Sequence, residues 1–260
     1  MEALLNHPRT HRMPNMSIIG ETNNGKTMLL RNFANRHNPP DDPNAEKTRL
    51  PVLLITTPPA PDESRLYYEI LDRLCAAGST REPERSQLRR IRIICSHLEV
   101  KMLLLDDFYN SAAGTPRRCQ QFLNALRNLS NVLEAPIVVS GTPATLNELS
   151  TDSSIANQFK PVFLPKWDNT RLKEFARFVK SVEPQLYLHK PCELMDRAAL
   201  TALLTFSEGL LGEVVDILRL LAEEAIQSGT ETIDSSMINK ETLSDLGWVI
   251  PSDRSRYLVE

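Results

Sequence analysis

Cysteine is sparse in this chain. Cys75, Cys95, Cys119 and Cys192 are the only four, far apart and without a C-x-x-C pair. That spacing excludes a disulfide framework and a zinc-ribbon type of site, and it reads as reduced cytosolic thiols. An excess of positive charge is missing too. Thirty Lys and Arg against 33 Asp and Glu leave a net charge of −3, which excludes a histone-like binder of nucleic acid but not a local basic face. No apolar run approaches the roughly eighteen residues of a membrane span. The opening MEALLNHPRTHRMPNM sets Asn, His and Pro where a secretory signal needs its apolar stretch. The expectation is a cytoplasmic protein without a membrane partner. There is no internal repeat and no low-complexity tract. What remains is ordinary globular composition, 41% hydrophobic and 24% charged over 260 residues, enough for one large or two small domains.

Hydrophobic patterning divides the chain. Asn15 to Gly20, Val52 to Thr56, Lys101 to Asp107 and Pro136 to Ser140 are short apolar runs that read as buried strands, and VFL at 162–164 is a further short run. Between them lie helical spacings from Lys26 to about Arg36, from a cap at Asp62 or Ser64 through Leu74, from Ser86 to Leu98, and from Cys119 to Leu133. The polar stretch Asn38 to Arg49 reads as an exposed loop. After Pro165 the strand-like runs stop. Helical patterns follow at about Thr170 to Val182, Leu194 to Phe206 and Glu213 to Ser228, with a short one around Ser235 to Leu246. Strands alternating with helices predict an α/β domain over 1–165, its parallel sheet covered on both faces. A small helical domain is expected over 166–246, and a solvated tail over 247–260.

One motif carries chemistry. Gly20, Glu21, Thr22, Asn23, Asn24, Gly25, Lys26 and Thr27 spell G-x-x-x-x-G-K-T, between a predicted strand and a predicted helix. Glycines let successive backbone N–H groups turn inward around phosphate oxygens. Lys26 reaches the outer phosphates, the Thr27 hydroxyl ligates magnesium, and the helix adds its positive end. Asp106 and Asp107 end the apolar run KMLLL. A carboxylate there can hold Mg²⁺ through water, and its neighbour can orient the attacking water. The bland alternative is two acids capping a buried strand. Ser140, Gly141 and Thr142 end another strand; a hydroxyl at that tip can meet the γ-phosphate or its water, and Thr142 is the choice over Ser140, with a plain turn as the alternative.

Basic residues cluster despite the negative balance. Arg85, Arg89 and Arg92 share one helical face, with Arg81 nearby, and such a stripe can track DNA phosphates without reading bases. A solvated arginine face is the competing reading. Arg117 and Arg118 follow the stretch SAAGTP, which suits a pore-lining loop or a subunit interface equally. The five histidines lack metal-ligand spacing, and Trp167 and Trp248 read as packing residues.

Phosphate loop, acidic strand, polar strand tip and C-terminal helices, in this order, resemble an AAA+ P-loop ATPase, and within that class the TniB/TnsC family of regulators of DDE transposases. The residues that carry the likeness are 11–37, 51–59, 101–110, 135–144, 157–169 and 207–229; RMPN…GETNNGKT and SEGLLGE are its specific parts. The resemblance implies ATP bound between neighbouring subunits, with Lys26 and Thr27 on phosphate and magnesium, Asp106 on magnesium and Asp107 on the water. It implies rings or filaments of the chain with itself around duplex DNA, and a DDE transposase and a TniQ-type targeting protein as partners. Three positions depart from the pattern. Asp107 stands where glutamate is usual, which points to slow hydrolysis. Gln158 stands where relatives carry an arginine finger, leaving Lys160 or another residue to supply that trans contact. Glu213 stands where a sensor arginine is expected. Relatives also tend to have a longer segment before RMPN, so the likeness implies a short or trimmed version. Two other classes share the loop: a nucleotide or small-molecule kinase, and an ATP-gated interaction module with negligible hydrolysis.

Overall fold

The computed structural model describes residues 1–10, 12–40, 47–79, 82–108, 115–150 and 156–254. Their contacts form two units, Met1–Thr22 with Lys26–Leu164, and Asn23–Gly25 with Pro165–Glu260.

The first unit is built on five parallel strands: β1 (Asn15–Ile19), β2 (Val52–Thr56), β3 (Met102–Asp106), β4 (Ile137–Gly141) and β5 (Phe159–Phe163), in the spatial order β2-β3-β4-β1-β5. β3 and β4 are buried along their whole length, which is why both read as unbroken apolar runs instead of alternating ones. The helices are α1 (Glu2–Leu5), α2 (Lys26–His37), α3 (Glu63–Arg73), α4 (Glu84–His97), α5 (Pro116–Leu133) and α6 (Pro143–Leu149). Two buried clusters form, one holding Leu66, Ile70, Ile91, Leu103, Leu105, Phe122 and Leu126, the other Ile18, Leu30, Phe33, Leu104 and Val138. Alternate residues of β3 thus serve different clusters, as the pleat requires.

Local signals set several boundaries. Asp62, not Ser64, caps α3, accepting from the Arg65 N–H at 2.8 Å. α5 begins three residues before the expected Cys119, because Thr115 caps it and Pro116 takes the first turn, where its missing N–H costs nothing. α4 begins at Glu84 rather than Ser86. The polar loop expected over 38–49 lies partly outside the described residues.

The second unit is helical: α7 (Leu172–Val182), α8 (Arg197–Ser207), α9 (Leu211–Gln227), α10 (Lys240–Asp245) and α11 (Pro251–Arg254). Phe175, Val179, Leu203, Val214, Ile217, Leu218 and Leu221 fill its core, and Trp167 and Trp248 pack against it. The helix expected from 235 to 246 is instead a 3₁₀ turn, Ser235–Met237, followed by α10 with Asn239 as its cap. α8 starts at Arg197, after the cap Asp196, rather than at Leu194. Among the described residues no single helix is long and apolar enough to cross a membrane.

Candidate nucleotide-binding site

The phosphate loop runs directly from β1 into α2. Asn23 and Gly25 hold left-handed φ values of 61° and 82°, which let the chain turn sharply enough to start a helix at Lys26. Lys26 Nζ donates to the carbonyls of Gly20 and Glu21 at 2.9 and 2.7 Å. Burial lowers the pKa of this amine, against the opposing pull of Asp106, Asp107 and Glu21. Thr27 follows in the first turn of α2, half-buried.

Asp106 is the last residue of β3 and is 6% exposed. Its backbone carbonyl accepts from the Thr57 N–H at 2.8 Å. The Ser140 hydroxyl, at the end of β4, donates to Asp106 Oδ1. Sequence reasoning preferred Thr142 at this tip. The structure sets Ser140 on the carboxylate, while Thr142 is half-buried and accepts from the Thr145 N–H through its carbonyl at 2.9 Å. Asp107 leaves the strand with φ 55°. Burial raises its pKa, Asp106 raises it further, and Lys26 counteracts both. Lys26, Asp106 and Asp107 therefore sense one another as charges.

The two residues assigned to a trans contact lie elsewhere. The Gln158 carbonyl accepts from the Asn15 N–H at 2.9 Å, at the amino end of β1, whereas the phosphate loop leaves the carboxyl end of that strand. Gln158 and Lys160 line a cavity of about 630 Å³ together with His7, Arg12 and Arg127. Arg12 and Arg127 are cations there that sequence reasoning missed. Gln158 and Lys160 cannot serve the loop of their own chain from that end of the sheet.

Among the candidate DNA contacts, Arg85, Arg89 and Arg92 are exposed on α4, and Arg117 and Arg118 are exposed at the start of α5. Arg81 and most of the SAAGTP stretch lie outside the described residues. Arg90, between the stripe residues in sequence, is instead tied to Glu82 at 2.6 Å. None of the four cysteines is in a disulfide. Among the described residues no group of three or more His, Cys, Asp and Glu side chains is placed to hold a metal alone.

In the second unit the loop tip meets α9. The Gly212 N–H donates to the Asn23 carbonyl at 2.9 Å, and Asn23 Nδ2 donates to Glu213 Oε1 at 2.9 Å. A Cβ on Gly212 would stand 1.9 Å from Asn23 Oδ1, and one on Gly209 would stand 2.0 Å from the Trp167 carbonyl oxygen. Gly209 is thus needed for close approach to backbone, whereas a side chain at 212 would displace the Asn23 amide. The tail was expected to be solvated; Arg254 is exposed, and its guanidinium also pairs with the buried Glu213 carboxylate at 2.6 Å.

Residues 1–169 match the family model described as the bacterial TniB protein. The chain belongs to the TniB family. No curated protein matches it. Among solved structures, Cdc6p from Pyrobaculum aerophilum is similar at TM-score 0.62 and 17% identity, covering 89% of this chain and 60% of that one. The ORC2 protein of Aeropyrum pernix, in its ADP form, gives TM-score 0.65 at 13% identity, with 86% and 61% covered. The Aeropyrum pernix ORC1 protein in complex with DNA gives 0.56 at 14%, with 95% and 62% covered. The TniB-family chain thus spans about three-fifths of the length of these structures and shares their AAA+ P-loop fold.

Proposed function

We propose that this TniB-family chain is an ATP-dependent AAA+ ATPase that binds duplex DNA without sequence preference. In this reading it assembles with itself on the target as a ring or filament and recruits or activates a DDE transposase, with a TniQ-type targeting protein as a further partner. The observation that carries the nucleotide part is the cluster of half-buried Lys26, buried Asp106 and exposed Asp107, whose charges act on one another. ADP in the similar ORC2 structure and DNA in the ORC1 complex support the two halves of the reading.

The chemistry follows from the donor set. Lys26 neutralises the outer phosphates, and the N–H groups opening α2 add their dipole. Hard oxygen donors suit Mg²⁺, and a site with few protein carboxylates suits an ion that keeps water and phosphate ligands. Thr27 and Asp106 would hold it, and when bound it neutralises charge on the β- and γ-phosphates. Asp107, with its pKa raised by burial, accepts a hydrogen bond from the attacking water and orients it. As an aspartate it reaches one methylene less far than glutamate, so turnover is slow. Lys160, with Arg12 on the same cavity, is the candidate cation for a neighbouring subunit's nucleotide.

The exposed stripe Arg85, Arg89 and Arg92 makes phosphate contacts that an assembled oligomer multiplies along one duplex. The test is fluorescence anisotropy of labelled duplex DNA with and without ATP across a salt series. Binding should need ATP, ignore sequence and weaken with salt. Arg85/Arg89/Arg92→Ala should keep ATP binding and lose DNA, each arginine removed lowering the salt slope by about one per subunit engaged. Unchanged DNA affinity in that folded variant moves the contact to Arg117 and Arg118.

A further inference from the structure

Glu213 is a carboxylate hydrogen-bonded to Asn23 at the tip of the phosphate loop. It is 4% exposed, on the first turn of α9. An uncompensated carboxylate there would repel phosphate, and burying it without a partner would be unfavourable. Compensation comes from Arg254. Its Nη1 and Nη2 donate to Glu213 Oε1 and Oε2 at 2.9 and 2.6 Å, the fork geometry that pairs most strongly with carboxylate. The guanidinium is itself fixed, with Nε donating to the Val249 carbonyl at 3.0 Å and its centre 4.8 Å from the Trp248 ring. The same Oε1 also accepts from Asn23 Nδ2 at 2.9 Å. One carboxylate therefore joins α11 to the left-handed residue of the phosphate loop.

We propose that Glu213, neutralised by Arg254, is a positioning residue for the phosphate loop, so that nucleotide affinity depends on α11 staying docked on α9. The inference rests on the nucleotide reading above. Glu213 orients the Asn23 side chain and, with the Gly212 N–H, holds the tip of the loop. Arg254 removes the charge that would otherwise act against the phosphates. Undocking of α11, by a partner or by truncation, leaves the carboxylate uncompensated and turns a support into a repulsive charge. The device is electrostatic, so its sign can be tested.

The experiment is titration of a fluorescent ATP analogue into four full-length chains: wild type, Arg254→Met, Glu213→Gln and the double variant. Arg254→Met should weaken binding about tenfold, the effect of one uncompensated charge close to phosphate. Glu213→Gln should weaken binding less than Arg254→Met does, since an amide oxygen still accepts from Asn23 and the amide brings no negative charge. The double variant should recover to within about twofold of wild type. A purely structural role predicts the opposite, because removing both partners then harms the fold more than removing one. Affinity unchanged in Arg254→Met, or no recovery in the double variant, overturns the proposal. Should Arg254→Met fail to fold, Arg254→Lys keeps the charge and must bind within about threefold of wild type; a larger loss overturns it. A wild-type chain that is folded but binds no ATP analogue overturns the nucleotide reading itself.

Discussion

Each unit buries one carboxylate among the described residues, Asp106 at 6% exposure and Glu213 at 4%, and the two are treated in opposite ways. Asp106 ends a strand in a sheet unit that also buries Asn15, Ser17, Thr57, Gln87, Ser130, Ser140 and Thr145. Its side-chain partner is the neutral Ser140 hydroxyl, and Lys26 is the cation that senses it through space. Its charge is left to be met by something more. Glu213 belongs to a helical unit whose other buried polar residues are Asn24 and Ser207, and a forked guanidinium already compensates it. A carboxylate with a hydroxyl partner is suited to a cation; one with an arginine is suited to holding structure. Position near a phosphate loop does not by itself make an acid catalytic.

The largest expected effect removes the cation. Lys26→Ala should weaken ATP binding at least about 100-fold, the scale on which loss of one partner of a desolvated charge pair acts. ATP-dependent DNA binding should disappear with it, while circular dichroism stays unchanged. Wild-type affinity in that variant would end the assignment of the loop. Next come the acids. Asp106→Asn should lower Mg²⁺-supported nucleotide binding by at least about tenfold. Asp107→Asn should leave binding alone and slow hydrolysis by about 10²–10⁴-fold, since an amide cannot orient water as a base. Unchanged turnover in Asp107→Asn would place the water-orienting group elsewhere. An Asp106→Asn chain with wild-type Mg²⁺ dependence would erase the contrast with Glu213.

The asymmetry between the units also marks how far the sequence is legible. β3 and β4 could be read because a strand buried on both faces must be apolar throughout, and Asp106 could be read because it breaks such a run. Lys26 and Thr27 open a helix directly after a strand and a left-handed glycine, the context that the loop spacing predicts. The Ser140–Asp106 bond could not be read, since it depends on how β3 and β4 are laid side by side, with Leu105 beside Val139; the residues after the strand offered Thr142 with equal local plausibility. The start of α5 was legible in Thr115-Pro116 but masked by the more obvious apolar spacing from Cys119 onward. Asn23 and Glu213 lie 190 positions apart, and Glu213 and Arg254 lie 41 apart. No periodicity or capping rule links such residues. Short helices such as α1, α6 and α11 are likewise set by what they dock on, because so few residues cannot offset helix nucleation alone.

Core truncation separates the units by stability instead of chemistry. Phe175 is fully buried in the helical cluster, and Phe175→Ala should cost about 3–5 kcal/mol by loss of burial plus the cavity left behind. Differential scanning calorimetry checks it. A transition that splits, with only one component moved, would show that the helical unit unfolds separately. A single transition shifted as a whole would show that the two unfold together, and no shift would contradict the burial.

The smallest effect is expected at a second glutamate, which shows what a cation partner does when both groups stay in water. Glu99, 39% exposed, accepts from Lys47 Nζ at 2.9 Å and has Arg49 Nε at 3.4 Å. The hydrogen bond from Lys47, then the charge of Arg49, holds its carboxyl below the ordinary glutamate range. With the folded value depressed, the unfolded chain binds more protons in the window between the two values. The stabilisation is therefore fully present above the ordinary glutamate value, about 4.3, and fades as pH falls through the folded one. Glu99→Gln should lower the melting temperature slightly at neutral pH. The difference from wild type should vanish in acid and shrink in salt, because exposed pairs are screened. A difference that persists in acid, or that withstands high salt, would mean that Glu99 acts through packing rather than charge. Its contrast with Glu213 would then rest on geometry and not on burial.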